Sequence, residues 1–265
     1  MSTEKYEYII CEQKDGIYRI ALNRPDHLNA LKYPLIMEIV EVLKFLMKDK
    51  EIRVITIEGN GKAFCAGDDL KSMGENGFRF KPLEDGSRLP HQKMIRLIRE
   101  IQKPVIALLH GYCLGAGFEL ALACDFRLAA DNLEMGDHRV RRAICMMSGA
   151  SWFLPRLVGF AKATEIVLTG KHLDSEEALK LGLITKSYPS ATFKEEAEDF
   201  IEKIAKLPTK CLGFNKTMLN FSQNHKLFPS LQHEFDLYCK NFATKDYREG
   251  VQSFLEKREP NFKGR

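Results

Sequence analysis

Lys103–Asp125, KPVIALLHGYCLGAGFELALACD, reads as three pieces in succession. Pro104 opens an apolar run, Val105–Leu109, of the length and residue type of a buried strand. His110–Gly117 carries Gly111, Gly115 and Gly117, which marks a tight loop. From Ala116 onward an apolar helical run continues through Ala123, and its first turn holds one carboxylate, Glu119. A helix start presents unpaired N–H groups and a partial positive charge, so it can hold an oxygen that becomes negative. A glutamate within a turn of those donors can move a proton beside that oxygen, making an oxyanion site with an acid/base attached. The structural alternative is that the dipole alone favours a glutamate there.

Arg53–Glu58, RVITIE, has strand alternation and runs into a second glycine loop that opens a short helix, GNGKAFCAGDDL at Gly59–Leu70. Neither GxGxxG nor GxxxxGK[ST] occurs in it, so a phosphate cradle finds no support.

The remaining chain is that of one large domain, or a domain with an appendage. Of the 265 residues, 45% are hydrophobic and 29% charged, ordinary values for a soluble protein. No apolar run approaches the roughly 20 residues that span a bilayer. The start, MSTEKYEYII, lacks signal- or transit-peptide character. Seven cysteines, an odd count without CxxC, point to reduced thiols and a cytoplasmic setting. A net charge of +4 permits an anionic ligand and does not call for nucleic acid. No motif points to a metal.

In chain order, Asp15–Gly16 joins two strands as a hairpin, and Pro34 opens a helix with Leu35, Ile36, Ile39, Val40, Leu43 and Met47 on its apolar face. Lys71–Pro90, broken by glycines and prolines, reads as a loop, either a lid or a passive surface segment. Asp174 with Glu177, and Thr192 with Glu195, read as capping boxes. Strand signals stop near Leu207, so residues 1–206 form a core and 207–265 a helical region.

Taken together, GKAFCAGDDL and KPVIALLHGYCLGAGFELALACD resemble the crotonase, or enoyl-CoA hydratase/isomerase, superfamily. RPDHLNAL at Arg24–Leu31, LVGFAKATEIVLTG at Leu157–Gly170, EALKLGLI at Glu177–Ile184 and the tail Glu249–Arg265 extend the resemblance over nearly the whole chain. It implies an α/β fold, a right-handed spiral of ββα turns with a C-terminal helical region that packs between subunits of a homotrimer or homohexamer. It implies an acyl-CoA substrate, with coenzyme A part of the substrate and no separate cofactor. By motif position, the Asp68 and Ala116 N–H groups become the oxyanion donors and Glu119 the catalytic carboxylate. Arg24, Lys62, Ala66, His91, Phe254 and Lys257 fall on positions that meet CoA or the acyl chain.

The sequence departs from the pattern at one place. Hydrating relatives carry a second glutamate where an ungapped count from LPRLVG puts Arg139, which cannot act as a base. The same count puts Met147 where other members carry an aspartate. Asp137 can replace the missing group if Leu133–Arg139 is extended, since it then shares a face with Arg139; otherwise it is a surface partner of that arginine or of Arg141. The Asp68 carboxylate, turned inward, is the other replacement. On this reading Arg139→Glu raises hydration. The implied activity is hydration of a 2-enoyl-CoA, with Δ3–Δ2 isomerisation by Glu119 alone as the rival. A non-catalytic RNA- or partner-binding role is the alternative from another class.

Overall fold

The computed structural model describes residues 6–76 and 83–265. It opens with the hairpin, β1 (Ile9–Lys14) and β2 (Ile17–Leu22), paired antiparallel. Asp15 and Gly16 take positive φ, 50° and 77°, as a two-residue hairpin turn demands. α1 (Tyr33–Lys48) buries Leu35, Ile36, Ile39, Val40, Val42, Leu43 and Leu46. Met47, expected on that face, is 42% exposed. Leu46 and Met47 are the i+3 and i+4 steps from Leu43, and periodicity alone allows either.

β3 (Val54–Gly59) lies parallel to β2. α2 (Leu70–Asn76) and α3 (Pro90–Glu100) then precede β4 (Val105–Leu109). The loop expected over Lys71–Pro90 is therefore helical at its start; residues 77–82 lie outside the described residues, and with them the middle of the proposed lid. Asp85 accepts from Arg96 Nη2 at 2.7 Å, which ties the turn before α3 to that helix.

From β4 the chain alternates between two sheets. β5 (Tyr112–Leu114) enters the second sheet and α4 (Ala116–Ala123) follows. β6 (Phe126–Ala130) returns to the first sheet and β7 (Glu134–Gly136) to the second. A 3-10 turn at Arg139–Arg142 leads to α5 (Ala150–Val158), α6 (Phe160–Thr169), β8 (Leu173–Asp174), α7 (Ser175–Lys180), β9 (Lys186–Tyr188) and α8 (Phe193–Lys206). α9 (Thr209–Ser222), α10 (Leu227–Phe242) and α11 (Lys245–Glu256) complete the helical region. The first sheet runs β1-β2-β3-β4-β6-β9, parallel from β2 onward, and the second runs β5-β7-β8. This is the expected spiral of ββα turns.

Strand alternation divides the core. Ile55, Ile57, Val105 and Ala107 face α1, α3 and α4, whereas Val54, Ile106 and Leu128 face Phe193, Ala197 and Ile201 of α8. Every residue of β4 and α4 is buried, so neither shows an amphipathic pattern. Asp174 caps α7 by accepting from Glu177 N at 2.8 Å, as read from the sequence. Thr192 does not cap α8: its φ and ψ, −111° and −2°, differ from the extended N-cap geometry, and its hydroxyl donates to Pro189 O instead.

The helices beyond Leu207 are fastened to the core. Arg53 donates to Thr209 Oγ1, Phe262 O and Leu207 O at 3.1, 3.0 and 2.8 Å. Lys216 Nζ donates to Ile98 O and Lys103 O and pairs with Asp125 at 2.7 Å. Among the described residues no helix is long and apolar enough to cross a membrane.

Candidate active site

The two glycine loops are joined by backbone hydrogen bonds. Phe64 N donates to His110 O, Cys65 N to Tyr112 O and Leu114 N to Cys65 O, each at 2.9 Å. A Cβ on Gly117 would lie 2.5 Å from Cys65 O, so only glycine lets α4 start this close. Gly67 has φ +105°, and a Cβ there would lie 2.9 Å from Leu114 O and 3.5 Å from Ala116 N. The backbones that precede Asp68 and Ala116 therefore touch. Leu31 N→Gly67 O and Asp69 N→Leu31 O, 2.7 and 2.8 Å, form the bridge beside Asp68 and leave its N–H out. Ala116 opens α4, where an N–H has no acceptor within the helix. Beside this seam opens a cleft of about 270 Å³, lined by Ala66, Gly67, Asp68, Leu114, Gly115 and Arg139 among others.

Glu119 sits one turn into α4 with no exposed surface. Its Oε1 accepts from Ser148 N at 3.0 Å and Ala150 N at 3.1 Å, the N–H groups at the start of α5. Its Oε2 accepts from Arg139 Nη1 at 2.9 Å and from the Ser148 hydroxyl. Sequence reasoning missed Ser148. The signal available was a run of small residues, SGA, ahead of an apolar helix, which places N–H groups where a carboxylate can meet them.

The segment holding Arg139 departs from the expected strand. β7 ends at Gly136 and the 3-10 turn begins at Arg139, so Asp137 and Arg139 are not alternating strand residues. Instead Arg139 folds back and clamps Asp137, Nε→Oδ1 at 2.8 Å and Nη2→Oδ2 at 2.6 Å. Asp137 is 2% exposed, which replaces the expected surface pairing with a buried one. The Asp68 carboxylate does turn inward: its side chain is 3% exposed, with Oδ2 4.0 Å from Arg139 Nη1 and Oδ1 3.1 Å from His91 Nε2. One guanidinium thus holds three carboxylates. Burial works against its charge, but the bonds to Asp137 and Glu119 outweigh burial and raise its pKa. Arg139 lines the cleft, and Glu119 stands behind it. Asp137, expected as the second proton acceptor, is bound by Arg139 and does not line the cleft.

Of the other expected contacts, Ala66 lines the cleft and His91 touches Asp68. Arg24 is already engaged: Nη2 donates to Asp69 Oδ2 at 2.8 Å, bracing the CAGDD loop. Asp69 is held below its usual range, burial being outweighed by the Ser72 N–H and Arg24. Lys62, Phe254 and Lys257 are exposed and do not line the cleft, and Phe254 is 82% exposed. Cys65 and Cys113 are packing residues, and burial pushes the Cys65 thiol up to about 12. Of the RVRR segment, Arg139 is buried while Arg141 and Arg142 are exposed. Among the described residues no group of His, Cys, Asp and Glu is placed to hold a metal ion.

This architecture has relatives. The chain is 33% identical over 258 residues to the crotonyl-CoA hydratase of Syntrophomonas wolfei, covering 97% of this chain and 98% of that one. It is 34% identical to the 2,3-dehydroadipyl-CoA hydratase of Escherichia coli, covering 97% and 99%. The crystal structure of an enoyl-CoA hydratase from Bacillus anthracis superposes with a TM-score of 0.89 at 33% identity, covering 98% of this chain and all of that one. The sequence model for enoyl-CoA hydratase/isomerase matches residues 12–265, and with the joined glycine loops and the buried glutamate this chain belongs to that family.

Proposed function

We propose that the chain adds water to a 2-enoyl-CoA. The observation that carries this reading is the meeting of the Asp68 and Ala116 backbones at Gly67, one helical turn from Glu119. A thioester oxygen seated on two such donors is stabilised as it becomes negative, each donor contributing about 3 kcal/mol. That lowers the cost of enolate character at C2. Glu119 moves the proton, its carboxylate aimed by the Ser148 and Ala150 N–H groups. When the Arg139–Glu119 bond opens to admit substrate, Arg139 keeps both bonds to Asp137, so the cation stays paired. Asp68 is the second acceptor: it lines the cleft, with its carboxylate turned inward and Oδ1 3.1 Å from His91 Nε2. Nothing beyond the CoA of the substrate is required. The hydratase names carried by full-length relatives support the reading.

A second reading rests on the clamp at Asp137. With that carboxylate tied off, Glu119 alone can carry a proton between C2 and C4, which is Δ3–Δ2 isomerisation. Crotonyl-CoA and a 3-enoyl-CoA, supplied separately, decide between them. Loss of the conjugated thioester absorbance from crotonyl-CoA is the expected result. Activity on the 3-enoyl substrate alone selects isomerisation, and failure to bind either ester returns the chain to an RNA- or partner-binding role. The assembly we propose is a homotrimer or homohexamer. Leu227, Phe228, Phe235 and Phe254 are 76, 70, 66 and 82% exposed on α10 and α11, an apolar area of the kind that subunits cover. The lack of a disulfide among the described residues fits a reducing cytoplasm.

A further inference from the structure

A second cavity, of about 550 Å³, lies at the opposite end of the helix that carries Glu119. Its walls include Arg99 of α3, Arg127 of β6, and Trp152, Phe153 and Arg156 of α5, around the end of α4 at Cys124. Arg127 is 7% exposed and donates from Nε to Leu183 O at 2.7 Å and from Nη1 to Cys124 O at 2.6 Å. Arg99 Nη1 donates to Ala123 O at 3.3 Å, and its guanidinium lies 5.7 Å from the Phe153 ring. Arg156 is stacked 4.2 Å from the Trp152 ring centre.

Carbonyl partners satisfy these donors without neutralising them. The helix end they cap offsets only about half a charge. The one carboxylate that lines the cavity, Asp125, is shared: Oδ2 accepts from Lys216 Nζ at 2.7 Å and from Val105 N at 2.8 Å, and Oδ1 pairs with Arg99 Nη1 at 3.7 Å. Three guanidiniums and Lys216 therefore face a single carboxylate around this cavity, which leaves an excess of positive charge.

We propose that this cavity binds a small multivalent anion of phosphate or carboxylate chemistry among Arg99, Arg127 and Arg156. Guanidinium groups take such oxygens in two-point contacts, and several around one cavity suit an anion with more than one charge. The position carries a consequence for catalysis. α4 bears Glu119, and α5 supplies the N–H groups that hold it, so an occupied cavity braces both helices of the active site from the other side.

Trp152 is the only tryptophan of the chain, so its fluorescence reports on this cavity. Inorganic pyrophosphate and citrate are titrated separately into the full-length protein, at ionic strength held constant with chloride, and followed by fluorescence and calorimetry. The expected result is saturable binding of one anion per chain, with the better ligand telling phosphate from carboxylate chemistry. Arg156→Gln, at an exposed position that tolerates exchange, should weaken binding about tenfold, the loss of one charge-assisted hydrogen bond. Arg96→Gln, at a residue whose partners are Asp85 and Glu100, should leave binding unchanged. Failure of both anions to saturate above the chloride control overturns the proposal, as does equal binding by the two variants. So does an Arg156→Glu protein that dissociates in sedimentation while the parent binds neither anion, because the cavity is then a contact between copies.

Discussion

Arg139→Met takes the one guanidinium out of a buried group of three carboxylates while keeping an apolar stem of similar reach. The guanidinium is 6% exposed and makes bonds of 2.8 and 2.6 Å to Asp137 and 2.9 Å to Glu119. Removing one partner of a buried ion pair costs about 3–5 kcal/mol. Protonation sets a ceiling for each orphaned carboxylate: roughly three units between its reference value and pH 7, at 1.36 kcal/mol each, gives about 4 kcal/mol. Glu119 retains Ser148 and Ala150, so most of the loss falls on Asp137. The expected destabilisation at pH 7.5 is about 4–6 kcal/mol. Because the variant folds more readily when those groups hold protons, the loss shrinks toward pH 5.5, by about 1.4 kcal/mol per pH unit for each proton taken up. Urea unfolding of parent and variant at the two pH values measures both numbers. A loss under about 1 kcal/mol, or one indifferent to pH, would refute the charged network. The same reasoning reverses the sequence-level expectation for Arg139→Glu. A fourth carboxylate among three should unfold the protein rather than raise hydration.

Glu119→Gln should abolish turnover while leaving acyl-CoA affinity within a few-fold, because the thioester oxygen rests on backbone N–H groups; its amide also turns one donor toward donors, so some stability is lost. Equilibrium binding of a non-reactive acyl-CoA checks this, and loss of binding in a folded variant would make Glu119 structural. Gly67→Ala places a Cβ 2.9 Å from Leu114 O at a positive φ and should cost about 1–3 kcal/mol of stability with a fall in kcat/KM. An unaltered kcat/KM would separate the seam from the oxyanion site. His110, half-buried beside Gly61 O, has its pKa pushed below the ordinary 6.5 by burial. Its contribution is present above pH 6.5 and lost as pH falls through the lowered value, so His110→Gln should flatten the stability profile on the acid side. A profile with the same acid slope as the parent would place the effect on other groups.

The longer elements could be read because local patterns match their surroundings. Asp15–Gly16 demands positive φ, Val105–Leu109 is apolar throughout, and Asp174 has a donor three residues on. The short strands β5, β7, β8 and β9 hold two or three residues each, too few for a period to register. Thr192 and Asp174 carry the same spacing signature yet differ in backbone conformation, which only the tertiary path sets. The site divides in the same way. Asp68, Ala116 and Glu119 lie in or just after glycine loops with a spacing of their own. The clamp of Arg139 on Asp137, and the reach of Ser148 to Glu119, depend on how a 3-10 turn folds back over α4. No periodicity announces that turn. The tail positions Phe254 and Lys257 stay away from the cleft of this chain.

The seam between the two glycine loops is made of main-chain hydrogen bonds, and glycine is needed only where the backbones approach most closely. In the proposed mechanism, the apparatus that grips the carbonyl is thus encoded separately from the apparatus that moves protons. Exchanging a glutamate for an arginine at position 139 leaves the paired N–H groups in place. A scaffold built this way can try new reactions on one kind of ester by single substitutions, each tested against a grip already in working order. Arg139 is fixed in place by the carboxylates around it.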